Sequence, residues 1–302
     1  MTTKRLFALA AALGSLAVLA APASAFIRGG LEQTFGTRNY RGTYGYVDVG
    51  DALHVKPSFN VYRSDVSSGT FKTFKARLAY DTNFWGLGLT LGGTGTTNDY
   101  SNRFFGLDGT ISITPSGGRK SRLTDKDRAP SGLGLARIDL GGALKVTHHT
   151  DRLQAAPGRA GIRARATKES VVQSDVTLSA GVEVLKTVAS ADLTHSKYNK
   201  DLEAISARTT QTTQISGLSS MVSGFPKNNT FLRLEWDFLP VVSPYVAYSY
   251  TTYMLNQPPS RAYIAGAYFG FQILEAKLEY EHFAQRGGSS SNYVTLGGAV
   301  RF

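Results

Sequence analysis

The sequence predicts an all-β chain, closed into an antiparallel transmembrane β-barrel of twelve strands. Three observations predict it. Apolar residues recur with period two in segment after segment. No stretch after the N-terminal leader is apolar for the ~20 residues a spanning helix needs. The final strand alternates up to a terminal aromatic, Phe302. Composition fits: the 302 residues include 32 Gly, 15 Tyr and 16 Phe, and only 18% are charged. Such a balance suits aromatic strands joined by tight turns better than helices. The absence of cysteine excludes disulfide frameworks, cysteine-ligated metal centres and cysteine nucleophiles.

Residues 1–25 read as a cleaved export signal. Lys4 and Arg5 precede an apolar run from Leu6 to Ala21, and Ala23-Ser24-Ala25 is an A-x-A cleavage site. The chain that folds is therefore expected to begin at Phe26. Residues 26–53 read as an N-terminal periplasmic or lumen segment, with Thr43 to Val49 as a spare strand.

The barrel is assigned to 54–302. Its strands are expected at 54–64, 70–80, 84–94, 103–114, 134–149, 172–184, 187–198, 229–238, 244–254, 261–271, 275–285 and 291–302. The alternation that defines them is plain in 229–238, where Leu232, Leu234, Trp236 and Phe238 share one face and Arg233, Glu235 and Asp237 the other. Phe74, Ala76, Leu78 and Tyr80 alternate in the same way with Lys75 and Arg77. Ile138, Leu140, Leu144 and Val146 alternate with Arg137, Asp139 and Lys145. An even count puts both termini on the periplasmic side, with short turns there and the long connections 150–171 and 199–228 outside. Two features fit poorly. Segment 115–133 is long yet periplasmic, and Pro57 interrupts the first strand. Ten or fourteen strands remain open.

A soluble sandwich also alternates. Segment length, near the 9–11 residues of a tilted membrane strand, favours lipid. So do the aromatics at segment ends, Tyr80, Trp85, Trp236, Phe238, Phe269 and Phe271, which suit interfacial girdles. In the last strand, Val294, Leu296, Val300 and Phe302 share a face. With the export signal and the repeated strands, this terminus resembles those of bacterial outer-membrane β-barrel proteins of the porin-like superfamily. The resemblance implies an outer-membrane location and lipid contacts. It also implies that Phe302 is an assembly signal read by the barrel assembly machinery.

Parity assigns the opposite face to the lumen. It should carry Lys56, Lys75, Arg77, Arg137, Lys145, Arg233, Lys277 and Arg301, with Asp108, Asp139, Asp175, Glu183, Asp192, Glu235, Asp237, Glu279 and Glu281. This wall is mixed in sign. It either orients polar solutes in a water-filled pore or braces the lumen by cross-strand ion pairs. The expected function is a porin-like channel for passive diffusion of small polar solutes, anionic ones included. Lys75, Arg77, Arg137, Arg233, Asp237 and Glu279 are the candidate selectivity wall. A structural or surface-interaction barrel with a filled lumen is the first alternative.

An outer-membrane hydrolase with a rim site is the second alternative. His148, His149, His195 and His282 fall near external strand ends, and only His149 faces inward by parity. No G-x-S-x-G elbow is present, and His195 and Ser196 point to opposite faces. Neither an enzyme nor a cofactor nor a metal is expected. The basic runs 119–128 and 159–168 carry no interleaved aromatics, so nucleic acid is not an expected partner.

Overall fold

The computed structural model describes residues 26–65, 67–97, 100–113, 123, 136–153, 167–200, 202, 212–214, 221–237, 239, 241–288 and 290–302. The expected signal peptide, most of 115–133 and the cores of both basic runs lie outside them. The described chain is built from strands β1 (Phe26–Gly36), β2 (Tyr40–Gly50), β3 (Leu53–Ser64), β4 (Ser67–Asp81), β5 (Trp85–Thr97), β6 (Tyr100–Ile113), β7 (Ala136–Leu153), β8 (Thr167–Val184) and β9 (Thr187–Tyr198). They continue with β10 (Thr212–Gln214), β11 (Met221–Ser223), β12 (Pro226–Trp236), β13 (Val242–Tyr253), β14 (Ser260–Phe271), β15 (Leu274–Gln285) and β16 (Ser291–Arg301).

All but β10 and β11 join one closed antiparallel barrel of 14 strands. The expected twelve is therefore corrected to fourteen. The additional strands are β1 and β2, so residues 26–53 are neither a periplasmic tail nor a lumen segment but the closing wall. The period-two signal of β1 is weak because Gly29 and Gln33 interrupt its outer row of Ile27, Leu31 and Phe35. Its pairing is nonetheless regular, from Arg28–Arg301 to Gly36–Tyr293. Phe302 completes the seam: its backbone N–H donates to Ile27 O at 2.8 Å and its carbonyl accepts from Ile27 N at 3.0 Å.

Closure leaves no edge and pairs the ladder groups within the sheet, which hydrocarbon requires. The outer face is apolar: Leu31, Leu87, Ile111, Leu140, Leu178, Leu193 and Leu278 are all exposed. The inner face is polar. Pro57 is tolerated because the β2–β3 ladder is interrupted between the Tyr46–Ser58 and Val49–Val55 pairs, where it sits. The β8–β9 connection is a two-residue turn, Leu185-Lys186, with φ of 48° and 66°, a type I′ geometry that matches strand twist. No helix among the described residues is long and apolar enough to cross a membrane, so any crossing is made by strands.

Fourteen strands spaced about 4.8 Å apart and tilted by about 40° enclose a backbone radius of about 14 Å. That size lies between barrels filled by side chains and wide aqueous porins.

Candidate functional site: the lumen wall

The residues assigned inward by alternation all sit on the inner face. Inward rows are fixed by buried residues such as Tyr62 on β3, Phe71 on β4, Asp139 on β7 and Glu235 on β12, and the cross-strand register carries them round the barrel. The wall is not uniform, however. On β12–β15 the inner face is packed, with Phe231, Tyr245, Ala247, Ile264 and Tyr268 in one buried cluster, Phe283 against it, and Glu235, Glu279 and Glu281 buried beside them. On β3–β9 it is polar and only partly buried at mid-depth, through Lys56, Lys75, Thr90, Asp108, Lys145, Thr177 and Asp192. Lys145, midway along β7, has a side chain 44% exposed, while its partner Asp175, 3.0 Å away, is buried. Lys145 is thus the most exposed of the ion-paired cations on the inner face, the others ranging from 4% to 16%.

The candidate selectivity residues divide between the two environments. Lys75 and Arg77 belong to the solvated wall. Arg77 reaches over β5 to Asp108, its guanidinium 2.8 Å from Oδ2. Gly88 makes that possible: a Cβ there would lie 2.5 Å from Asp108 Oδ1 and 2.7 Å from the Arg77 guanidinium. The other four are buried, Arg137, Arg233 and Asp237 toward the periplasmic end and Glu279 midway along β15. Arg137 forks onto Asp139, with contacts of 2.7 and 2.8 Å. Arg233 pairs with Glu235 and stacks 4.3 Å from the Tyr245 ring centroid. Asp237 is buried. Glu279 accepts from the Tyr245 hydroxyl and lies 3.3 Å from Lys277.

Bracing by ion pairs continues around the barrel. Arg28 pairs with Glu275 across β16, and Lys277 reaches Glu32 at 3.1 Å over Gly297. Lys145 is thus the candidate the selectivity set left out. Parity had placed it inward, but only the packing shows that its ammonium meets water. His54 was missed altogether. Its ring bridges Asp48 at 3.0 Å and Asp81 at 2.8 Å, tying β2, β3 and β4 near the periplasmic mouth. Asp48 lies on a strand that the twelve-strand reading left unassigned, so no partner for His54 was visible.

His149 faces inward as expected, within a buried chain of hydrogen bonds. The Asn102 amide donates to the Tyr100 hydroxyl at 2.9 Å, which donates to His149 Nδ1 at 2.9 Å. His149 Nε2–H donates to Gln173 Oε1 at 3.0 Å, and the Gln173 amide and Ser196 hydroxyl both donate to Asp175 at 2.7 Å. The serine thus meets a carboxylate, and both imidazole nitrogens are engaged by Tyr100 and Gln173. His148, His195 and His282 are on the outer face, where His195 and His282 bond Asn228 and Asn292 at 2.7 Å each. Among the described residues no cluster of histidines and carboxylates is placed to hold a metal ion.

Two apolar residues from long connections enter the lumen. Leu123 lies buried against Gly181, and its backbone N–H donates to Asp139 Oδ2 at 2.8 Å. Leu202 packs with Val171 and Phe225 near the external mouth. Phe302, at the periplasmic seam, projects outward with 75% of its surface exposed.

No protein-family model matches the sequence, and no curated protein matches it. Among solved structures the chain is similar to the outer-membrane-expressed OmpT of Vibrio cholerae, at 9% identity over 92% of this chain and 97% of that one, TM-score 0.46. It is similar to CdiB from Acinetobacter baumannii, at 10% identity over 93% of this chain and 60% of that one, TM-score 0.49. It is also similar to the KdgM porin in complex with disordered oligogalacturonate, at 6% identity over 91% and 99%, TM-score 0.42. Such likeness concerns barrel architecture, and no residue role is transferred from it. A closed, even-stranded antiparallel barrel with an apolar exterior and a polar interior is an architecture that can cross a bilayer, because its ladder groups are paired within it.

Proposed function

We propose that the protein is a porin-like passive channel for small polar solutes, and that it is not an enzyme. The observation that carries the reading is Lys145: a lysine at mid-membrane depth with a substantially solvated side chain needs water around it, and the water must come through the barrel. In this reading the bore runs along β3–β9, with Lys56, Lys75, Arg77, Asp108 and Lys145 as its charged lining, while the packed β12–β15 wall supports the far side. Cations on the solvated wall favour anionic solutes modestly, because Asp108 and Asp175 offset part of their field. Phe302 is the handle for the assembly machinery, its exposed ring being free to be gripped at the periplasmic rim.

A filled lumen is the second reading, favoured by Leu123 and Leu202, which occupy lumen space at either end. Planar-bilayer recording separates the two. The pore predicts discrete conductance steps, and Lys145→Glu should move the reversal potential in a KCl gradient toward cation selectivity without abolishing the steps. A silent bilayer over correctly folded protein rejects the channel. Steps whose reversal potential ignores Lys145→Glu reject this path through the barrel.

A further inference from the structure

Cations on the two faces of the barrel are treated differently. Inside, Arg28, Arg77, Arg137, Lys145, Arg233 and Lys277 each meet a carboxylate. Outside, Arg41, Arg63, Lys72 and Arg103 are exposed and form no ion pair among the described residues. Their direction follows from their neighbours, since Tyr40, Tyr62, Phe71 and Tyr100 hold the inward rows of β2, β3, β4 and β6.

They are also set against one another. Arg41 is directly opposite Arg63 across β2–β3, and Arg103 is directly opposite His148 across β6–β7. Lys72 is opposite Val61, one diagonal step from Arg63. Like charges facing across strands destabilise a sheet, unless an anion lies between them. A cavity of about 510 Å³ opens there, lined by Asn39, Arg41, Arg63, Asp65 and Thr70 among others. Its one carboxylate, Asp65, accepts from the Asn39 amide at 2.7 Å.

Height is the second observation. Lys72 is two residues, about 7 Å, beyond the outward Phe74, which pairs with Phe59; Arg41 is opposite the outward Phe35. The cations thus begin where the aromatic boundary of the apolar band ends. The opposite rim shows none of this: its outward residues include Leu53, Tyr80, Trp85, Ile138, Val184 and Phe271, without a cation among the strand residues there. Among the described strand residues, the facing outward cations of β2–β7 gather at this rim and not at the other.

We propose that the outer rim of β2–β7 binds the phosphate groups of an anionic lipid of the external leaflet. Arg41, Arg63 and Lys72 ligate the phosphate, and Arg103 with His148 extends the site along the rim. Guanidinium pairs match phosphate oxygens bidentately, and the aromatic row beneath receives the first part of the acyl chains.

The test is native mass spectrometry of the detergent-solubilised full chain, incubated with diphosphorylated lipid A, its phosphate-free counterpart, or inorganic phosphate. Unchanged protein should retain the phosphorylated lipid, and Arg41→Gln/Arg63→Gln/Lys72→Gln should weaken retention about a hundredfold. Heat-modifiable gel mobility checks that the triple variant folds, while the phosphate-free lipid tests the unchanged protein and needs no variant. Equal retention of the phosphate-free lipid overturns the proposal. So does undiminished retention by the folded triple variant. Displacement of the lipid by inorganic phosphate at matched phosphate concentration overturns it too, since the site would then be one for free phosphate.

Discussion

At the scale of single residues, the lumen shows how charge is kept inside a membrane protein. Asp139 is fully buried, yet it accepts two bonds from Arg137 and one from the Leu123 backbone. Removing one partner of such a pair leaves an uncompensated buried charge. Arg137→Ala should therefore cost about 3–5 kcal/mol, measured by urea unfolding from lipid vesicles. A loss below about 1 kcal/mol would mean that water solvates Asp139, as at an exposed pair. Gly88 makes the complementary point. It carries no chemistry, but its missing side chain is the gap through which Arg77 reaches Asp108. Sequence reading takes in such a glycine only as a crowded strand, because the neighbours that need the space lie on β4 and β6.

At the scale of the strand, alternation does two jobs. One row meets lipid and the next meets the lumen, so a slip of one residue would exchange them. Leu144, in mid-β7, is exposed on the outer face beside the inward Lys145. Leu144→Arg should cost about 2–4 kcal/mol of unfolding free energy in vesicles, as expected for a cation on the lipid face at the midplane. The same substitution would cost little if that face met water. Strand parity was legible from the residues because side-chain direction is a local property of extended backbone. It placed His149 inward and His148, His195 and His282 outward. It could not grade the inner residues: Arg233 and Lys145 look alike in sequence, yet one is clamped between Glu235 and Tyr245 and the other meets solvent.

The whole molecule depends on closure between the first and last strands. Periodicity did not find β1, and it found β2 only as the spare segment Thr43 to Val49. Their position is set by pairing with β16 and β3 rather than by their own hydrophobicity. Deleting residues 26–50 should therefore abolish the folded barrel, since β16 and β3 would each be left with an unpaired edge in hydrocarbon. Loss of heat-modifiable mobility on gels would register this. A truncated chain that still folds to a heat-modifiable form would show that β3 and β16 can close directly on each other.

The amino-acid order by itself determined the class of the molecule. Period-two rows, aromatic segment ends and the aromatic terminus are enough to demand strands with a lipid face, because each is read from neighbours along the chain. Strand number, the exposure of Lys145 on the inner wall and the facing cations of one outer rim were decided only in three dimensions. Each depends on which strand lies beside which, and cross-strand neighbours such as Arg41 and Arg63, or Arg28 and Arg301, are far apart in the chain and adjacent only once the cylinder is closed.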